Sequence, residues 1–336
     1  MTRITLIFLC ILLSCSQNEK IEFSGEAIGT TYNIKIVNTK NAEYDKAALL
    51  NIIDAEIDKL NLQMSTYLDS SEISIFNKSG IKDTTIVSQE FLDVLNLARQ
   101  IWAESSGAFD ATVAPAVDLW GFGKKGRISE PPKESEIKLV HQAVGMQNID
   151  VQGNKLSKKY SNTELDFSAI AKGFIVDAVA KVINEQGFDN YLVEIGGEVV
   201  VKGQNAEEKA WGIGVDRPLI EQSVNRGFEA IVDLSDAALA TSGDYRNYFI
   251  SDDSLYSHTI DPLTCRPIIN GVASVTVIAE NCALADAMAT AIMVMGAENG
   301  LEWIESKPGV EAMIILRNEK NFEILQSSGF NKFVRS

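Results

Sequence analysis

The sequence predicts a mixed α+β fold. Short runs of alternating apolar residues indicate strands, and longer runs with apolar residues three and four apart indicate helices. The two kinds of run do not alternate strictly along the chain, which disfavours a doubly wound parallel sheet. No repeat, low-complexity tract or clear linker divides the 336 residues. Residues 23–336 are therefore expected to form one folded unit.

The first half of the chain contains one clear strand and two clear helices. Tyr32, Ile34 and Ile36 alternate with polar residues and predict a strand with one buried face. The first helix is predicted from five apolar residues on one face: Leu49, Ile52, Ile53, Ile57 and Leu60. A second helix is expected to begin at Ser88 and to end at Gly107. Its inward residues are Phe91, Val94, Leu95, Ala98 and Trp102.

The second half begins after a loop that is rich in glycine, lysine and proline, from Gly121 to Pro132. A third helix ends at Gly187, with Ile170, Phe174, Ala178, Val179 and Val182 on its apolar face. A fourth helix is predicted from about Ala283 to Met295, with Gly296 ending it. Short strands are expected at 191–195, 211–216, 230–234, 274–279, 312–316 and 322–326.

The N-terminus is typical of a bacterial lipoprotein signal. Arg3 precedes an apolar run, Ile4 to Leu13, which is shorter than the about 20 residues that a membrane-spanning helix needs. Ser14 and Cys15 follow, so residues 1–14 are predicted to be removed, Cys15 to be lipidated, and residues 15–22 to form a tether. The alternative is an ordinary secreted protein. We expect a protein anchored on the extracytoplasmic side of a membrane, most simply the periplasmic face of the inner membrane.

Charge and cysteine content narrow the function further. The formal net charge of −16 leaves no basic stripe for phosphates, which argues against nucleic-acid binding. After removal of the signal peptide and lipidation of Cys15, only Cys265 and Cys282 remain as free thiols. Two separate buried thiols are expected, although the sequence alone leaves a disulfide between them open.

One glycine-rich motif is misleading. The residues GFGKKG (121–126) match G-x-G-x-x-G, but a dinucleotide-binding motif must follow a strand and open a helix. Here a Pro-Pro loop follows, so a Rossmann site is not expected. The sequence also lacks a phosphate-binding P-loop, an H-E-x-x-H zinc motif and a G-x-S-x-G nucleophile motif.

The segment DFSAIAKG (166–173) is the first of three places that indicate chemistry. Asp166 is predicted to cap the third helix, and Lys172 lies in its first turn. Free backbone N–H groups at the start of a helix bind anions. A bound phosphate would also offset the unfavourable interaction between the Lys172 cation and the positive end of the helix dipole. A capped helix with a solvated lysine is the alternative.

The other two places supply oxygen ligands and a histidine. Asp286 and Thr290 are four residues apart and share one helix face, and a carboxylate with a hydroxyl suits Mg²⁺. His258 precedes an Asp-Pro turn and is suited to act as a general base. Taken singly, the pair is also compatible with an ordinary polar stripe, and the histidine with a structural role.

Eight segments in this order resemble the ApbE family of FAD:protein FMN transferases. They are GEAIGTTYNI (25–34), MSTYLDSSEISIFN (64–77), SGAFDATVAPAVDLWGFG (106–123), DFSAIAKGFIVD (166–177), YLVEIGGEV (191–199), ATSGDYRNYF (240–249), HTIDPLTCRPI (258–268) and ADAMATAIMVMG (285–296). The resemblance implies a T-fold-like α+β architecture. It also implies Mg²⁺-dependent transfer of FMN from FAD to a Thr or Ser hydroxyl of an acceptor flavoprotein, with release of AMP.

The resemblance also implies site residues. Mg²⁺ is expected on the side chains of Asp286 and Thr290 and the backbone carbonyl of Ala169. His258 matches a position that helps to deprotonate the acceptor hydroxyl. The FAD contacts are expected at Ile28, Tyr67, Ala108, Phe109, Asp110, Asp166, Lys172 and Ile260. The family suggests acceptors such as redox-pump subunits and other exported flavoproteins.

Two positions depart from the family pattern. Ile28 stands where most relatives have Met, and both residues are apolar. Cys265 replaces the glycine of a D-P-x-T-G turn, so a turn that needs φ > 0 would cost this chain roughly 1 kcal/mol. Two other functions stay open at this point: an FAD pyrophosphatase that releases FMN and AMP, and a non-catalytic flavin-binding lipoprotein.

Overall fold

A computed structural model describes residues 19–40, 43–124, 126–128, 130–218, 227–244, 248–251, 254–318 and 321–335. Cys15 and the predicted signal peptide lie outside these ranges, so the lipoprotein anchor stays a prediction. The predicted tether, residues 15–22, is too long, because the first strand of the central sheet already begins at Glu19. Within the described ranges, none of the helices has the length and apolar character that crossing a bilayer requires.

Helices and strands are mixed along the described chain. The helices are α1 Lys46–Met64, α2 Glu72–Lys78, α3 Gln89–Glu104, α4 Ala114–Leu119, α5 Glu134–His141, α6 Ala171–Glu185, α7 Cys282–Met295 and α8 Ala297–Glu305. The strands are β1 Glu19–Ala27, β2 Thr30–Asn38, β3 Thr85–Ile86, β4 Ile149–Gln152, β5 Lys155–Lys158, β6 Tyr191–Ile195, β7 Glu198–Lys202, β8 Trp211–Asp216, β9 Phe228–Leu234, β10 Ala237–Gly243, β11 Tyr248–Ser251, β12 Ser254–Ser257, β13 Ile260–Asp261, β14 Arg266–Pro267, β15 Val272–Ala279, β16 Glu311–Arg317 and β17 Phe322–Gln326. Short 3₁₀ helices occupy Met146–Asn148 and Phe330–Lys332.

The centre of the fold is an eight-stranded sheet in the order β1-β2-β6-β7-β10-β15-β16-β17. Every neighbouring pair in it is antiparallel. Helices α6 and α7 pack against each other, and α7 lies on β10 and β15. The α+β prediction is therefore confirmed, since the strands do not form a parallel doubly wound sheet.

Both faces of the sheet are covered, and alternation along each strand decides which side chain goes where. In β10, Ala238 and Ala240 join the core beneath the helices, whereas Leu239 points to the opposite face. There a second core forms under the β8–β9 hairpin around Trp211 and Val232. A sheet with two buried faces explains why β15 is buried at every position.

The predicted elements are found close to their expected bounds. Ser88 caps α3 with its hydroxyl, and Gly296 ends α7 with φ +81°. The segment before GFGKKG is helix α4, and among the described residues after it no helix begins before Glu134, so the motif has no Rossmann context. Ile52 is a correction: 42% of it is exposed, because it lies outside the narrow buried stripe of α1. Cys265 and Cys282 are both buried and free, as expected.

Candidate active site

A cavity of about 750 Å³ opens between the large sheet, the start of α6 and the β8–β9 hairpin. It collects residues from eight separate segments, which supports treating it as the functional site. The predicted site residues that line it are Tyr67, Ala108, Phe109, Asp110, Asp166, Ala169, Lys172, His258, Ile260, Asp286 and Thr290. Ile28 is the predicted site residue that does not line it.

The junction of α6 with α7 sets the floor of the cavity. Gly173, in the first turn of α6, packs so closely that a Cβ there would lie 2.4 Å from the Cys282 carbonyl oxygen. This close approach lets the Gly173 amide donate to Asp286 Oδ2 at 3.2 Å. On the same side, Asp177 of α6 accepts hydrogen bonds from the Cys282 and Ala283 amides at 2.8 and 2.9 Å. The two helices therefore hold Asp286 at a fixed place.

Three charged groups meet above this junction. Lys172 donates to Glu198 Oε1, and both residues line the cavity with Asp286. Burial followed by the nearby Asp286 raises the pKa of the Glu198 carboxyl to about 7. Burial also raises the pKa of Asp286, against the opposing effect of Lys172. Burial acts to lower the pKa of Lys172, but Asp286 and Glu198 together raise it, so the ammonium stays charged.

The predicted magnesium ligands lie at the edge of this charged group. Thr290 is one turn after Asp286 in α7, and its hydroxyl is 3.0 Å from Ser242 Oγ of β10. Ala169, in the turn before α6, faces the same cavity. The described residues contain no group of three or more His, Cys, Asp or Glu suited to a metal.

The donor chemistry nevertheless fits Mg²⁺. A carboxylate, a hydroxyl and a carbonyl are hard oxygen ligands, and Mg²⁺ fills its other positions with water and substrate phosphate. Glu198 Oε2, also in this cavity, is buried and has no hydrogen-bond partner among the described residues, so it is free to accept a further ligand.

A loop after α3 forms one wall. The Ser105 hydroxyl accepts a hydrogen bond from the Phe109 amide at 3.0 Å and fixes the entry to this loop. Asp110 is 6% exposed and accepts from the Thr112 and Met146 amides at 2.8 and 3.2 Å. Burial raises the pKa of Asp110, although these hydrogen bonds oppose the shift. Asp110 therefore stabilises the backbone of this wall, and its carboxylate is already occupied by these hydrogen bonds.

The rim carries aromatic and apolar groups. Tyr67 follows α1, is 82% exposed and lines the cavity. Ile28 and Gly29 form the two-residue turn between β1 and β2, with φ +47° and +77°. The Gly196 amide donates to the Thr31 carbonyl at 3.0 Å, so this turn lies beside the cavity-lining Gly196–Gly197 turn. The contact between Ile28 and a flavin stays a prediction.

His258 lies at the start of a tightly held turn. Its ring faces the edge of Phe122, with centroids 6.3 Å apart. Asp261 holds the turn, since its carboxylate accepts from the Leu263 amide and the Thr264 hydroxyl, each at 2.9 Å. Cys265 closes the turn with φ +53°, so the position does require the backbone conformation that favours glycine.

The prediction that Asp166 caps α6 is wrong. The helix begins at Ala171, and the preceding Ile170 has φ −153°, which is outside the helical range. Asp166 instead accepts from the Ser168 amide at 2.8 Å and stabilises a turn before the helix. The placement of Lys172 in the first turn of α6 is confirmed.

Three residues at this site, Gly173, Glu198 and Ser242, had no role predicted from the sequence. Glu198 stands out in hindsight as a charge that opens the apolar run of β7. Ser242 and Gly173 carry no comparable signal, because their importance depends on contacts with α7.

Comparisons with known proteins identify the family of this chain. The ApbE family model matches residues 28–314. The FAD:protein FMN transferase of Vibrio cholerae is 40% identical over 332 residues, which cover 98% of each chain. That of Haemophilus influenzae is 36% identical, covering 97% of this chain and 95% of its own.

Solved structures show the same relationship. The flavin transferase ApbE from Vibrio cholerae has a TM-score of 0.84 at 39% identity, covering 94% of this chain and 99% of that one. The apo form of the flavinyl transferase ApbE of Pseudomonas stutzeri has a TM-score of 0.86 at 33% identity, covering 96% and 98%. The chain belongs to the ApbE family.

Proposed function

We propose that this protein is an FAD:protein FMN transferase that uses Mg²⁺, modifies a Thr or Ser hydroxyl of an acceptor flavoprotein and releases AMP. The observation that carries the proposal is the cavity in which Lys172, His258, Asp286 and Thr290 meet. The chain that forms it is 40% identical, over nearly its whole length, to a protein with that name.

The reaction joins the acceptor oxygen to the phosphorus of the FMN moiety and breaks the bond from that phosphorus to AMP. Asp286, Thr290 and the Ala169 carbonyl would hold Mg²⁺, which offsets the pyrophosphate charge and stabilises the leaving phosphate. Lys172 adds a positive charge on the same wall. His258 takes the proton of the acceptor hydroxyl, since a neutral imidazole is a base of suitable strength near pH 7.

Six other predicted residues of the cavity bind and orient the flavin nucleotide. The exposed ring of Tyr67 offers a surface on which a flat heterocycle stacks. Phe109 and Ile260 supply apolar walls, and Ala108 leaves room for the ligand beside them. Asp110 and Asp166 hold the backbone of two wall loops through their amide hydrogen bonds. Holding the two reactants in line contributes much of the acceleration in such transfers.

The lipid anchor belongs to the same proposal. Lipidation of Cys15, supported by the apolar run and the Leu-Leu-Ser-Cys sequence, would place the domain at the extracytoplasmic membrane surface. Its acceptors, such as redox-pump subunits, would be exported or membrane proteins. A Cys15→Ser variant should move from the membrane to the soluble fraction and lose labelling by palmitate; retained labelling would contradict the anchor.

The transfer is tested with FAD, Mg²⁺ and an acceptor domain from a redox-pump subunit, followed by intact-mass spectrometry. We expect a covalent FMN increment on the acceptor, lost with an acceptor whose target Thr is changed to Val. Free FMN with an unlabelled acceptor would instead indicate a pyrophosphatase, and tight FAD without turnover a carrier. Asp286→Ala should abolish transfer, while Glu302→Gln, an exposed position on α8 outside the cavity, should leave it unchanged.

A further inference from the structure

Glu198 is a buried carboxylate in the cavity. Neither the sequence motifs nor the resemblance to the ApbE family predicts a role for it. It is the first residue of β7, directly after the Gly196–Gly197 turn. The residue is 2% exposed yet lines the cavity. A charged side chain is rarely this buried unless it is paired or binds a ligand.

The two oxygens of Glu198 differ in their surroundings. Oε1 accepts from the Lys172 ammonium. Oε2 is buried and has no hydrogen-bond partner among the described residues. Leaving a charged oxygen buried without a partner is costly, and native sites seldom retain one without a functional reason.

The local charge balance indicates what is missing. Among the described groups that interact here, the carboxylates of Glu198 and Asp286 face the ammonium of Lys172. Asp177 lies behind Asp286 and is already held by the Cys282 and Ala283 amides. With Glu198 and Asp286 ionised beside Lys172, one negative charge is left uncompensated. A bound cation would offset this charge and give Oε2 a partner, whereas a ligand hydroxyl would satisfy the oxygen and leave the charge in place.

A neighbouring glutamate provides the contrast. Glu194, on the other strand of the β6–β7 hairpin, also lines the cavity. Its Oε1 accepts from the Gly197 amide and its Oε2 from the Asn33 amide group, each at 2.8 Å. Both oxygens of Glu194 are thus engaged, so the two glutamates differ in their capacity to accept a further ligand.

We propose that Glu198 Oε2 is an additional oxygen ligand of the divalent-cation site formed by Asp286 and Thr290, directly or through one bound water. The proposal rests on the proposed function for the cation and for its site at Asp286 and Thr290. Glu198 then has two tasks: it holds Lys172 on the cavity wall with one oxygen and binds the cation with the other. Two carboxylates, a hydroxyl and a carbonyl form a hard oxygen set that suits Mg²⁺ or Mn²⁺.

The test measures cation binding without catalysis. Mn²⁺ is titrated into the full-length protein in detergent, with FAD and without acceptor, and free Mn²⁺ is followed by electron paramagnetic resonance. Glu198→Gln keeps the size and an acceptor oxygen for Lys172, so we expect it to weaken Mn²⁺ binding about 10-fold or more. Glu194→Gln should stay within about two-fold of the unchanged protein by the same reasoning. Equal affinity of Glu198→Gln and the unchanged protein, or equal losses in both variants, would overturn the proposal.

A second measurement needs no substitution. In crystals of the unchanged protein grown with Mn²⁺, the anomalous peak should lie within about 4.5 Å of Glu198 Oε2, the reach of one bridging water. A peak at Asp286 that is farther from Glu198 would also overturn the proposal.

The two proposals fail separately. Binding of Mn²⁺ that depends on Glu198, in a protein that transfers no FMN, would leave this inference standing and remove the proposed function. Transfer of FMN by a protein whose Mn²⁺ affinity does not depend on Glu198 would support the proposed function and overturn this inference.

Discussion

The amide of Gly173 donates to Asp286 Oδ2 at 3.2 Å, across 113 residues of sequence. This bond joins the start of α6 to α7 and fixes the carboxylate expected to bind the metal. It exists because residue 173 has no side chain: a Cβ would lie 2.4 Å from the Cys282 carbonyl oxygen.

Gly173→Ala should therefore separate the two helices. We expect a loss of stability of about 1–3 kcal/mol from overpacking and a clear loss of Mn²⁺ affinity, measured by urea unfolding and by titration. Gly300→Ala is the matched control, because its Cβ would meet the Ile292 side chain, away from the cavity. If the two variants bind Mn²⁺ equally well, the Gly173 contact does not position Asp286.

The pair Arg317–Asp244 is predicted to hold the end of β10 near the cavity. The guanidinium donates to both carboxylate oxygens, at 2.8 and 3.1 Å, and Asp244 is 5% exposed. Arg317→Met leaves this carboxylate buried and unpaired, so the free energy of unfolding should fall by about 3 kcal/mol. Adding Asp244→Asn should recover part of the loss in a double-mutant cycle; strictly additive losses would show that the pair is uncoupled.

The turn at Cys265 is expected to be strained. Its φ of +53° costs a non-glycine residue about 1–2 kcal/mol, while its buried side chain contributes packing. Cys265→Ala loses the packing and keeps the strain, whereas Cys265→Gly loses both. Urea unfolding should show Gly more stable than Ala by about 1 kcal/mol. An alanine variant as stable as the glycine variant would show that the turn is not strained.

The turn at Ile28 and Gly29 offers a second test of strain. Ile28→Asn should stabilise the protein by roughly 1 kcal/mol, because asparagine tolerates φ > 0 and a branched residue does not. The same change should raise the KM for FAD if Ile28 contacts the flavin. Gly29→Ala should have the opposite effect and lower the stability. Its Cβ would meet no atom within 4 Å, so any loss comes from the φ of +77° alone.

Burial raises the pKa of Asp177 to about 6. A carboxyl whose pKa is higher in the folded state binds more protons there, so its contribution to stability is largest below about pH 4 and is lost as pH rises to about 6. The difference in unfolding free energy between the unchanged protein and Asp177→Asn should therefore shrink by roughly 2–3 kcal/mol from pH 4 to pH 7. A difference that grows with pH would show that the α7 amides outweigh burial.

The sequence alone determined the features that depend on neighbours in the chain. Alternation predicted β2 and β6, and the cap at Ser88 and the stop at Gly296 fixed the ends of α3 and α7. The GFGKKG motif was excluded correctly because its context is local. Strands β7 and β10 were missed, since a strand buried on both faces or rich in small residues has no clear alternation.

Tertiary structure decided the arrangement of the site. Lys172 meets Glu198, Ser242 meets Thr290, and Gly173 meets Asp286 across 26, 48 and 113 residues of sequence. The predicted cap at Asp166 was wrong because Asp166 stabilises a separate turn, and the helix begins only at Ala171. Side-chain type and spacing indicate what chemistry a segment can do. Which groups share a buried, charged cavity depends on packing between distant elements. That packing leaves Glu198 Oε2 without a hydrogen-bond partner in the part of the chain that the structure describes.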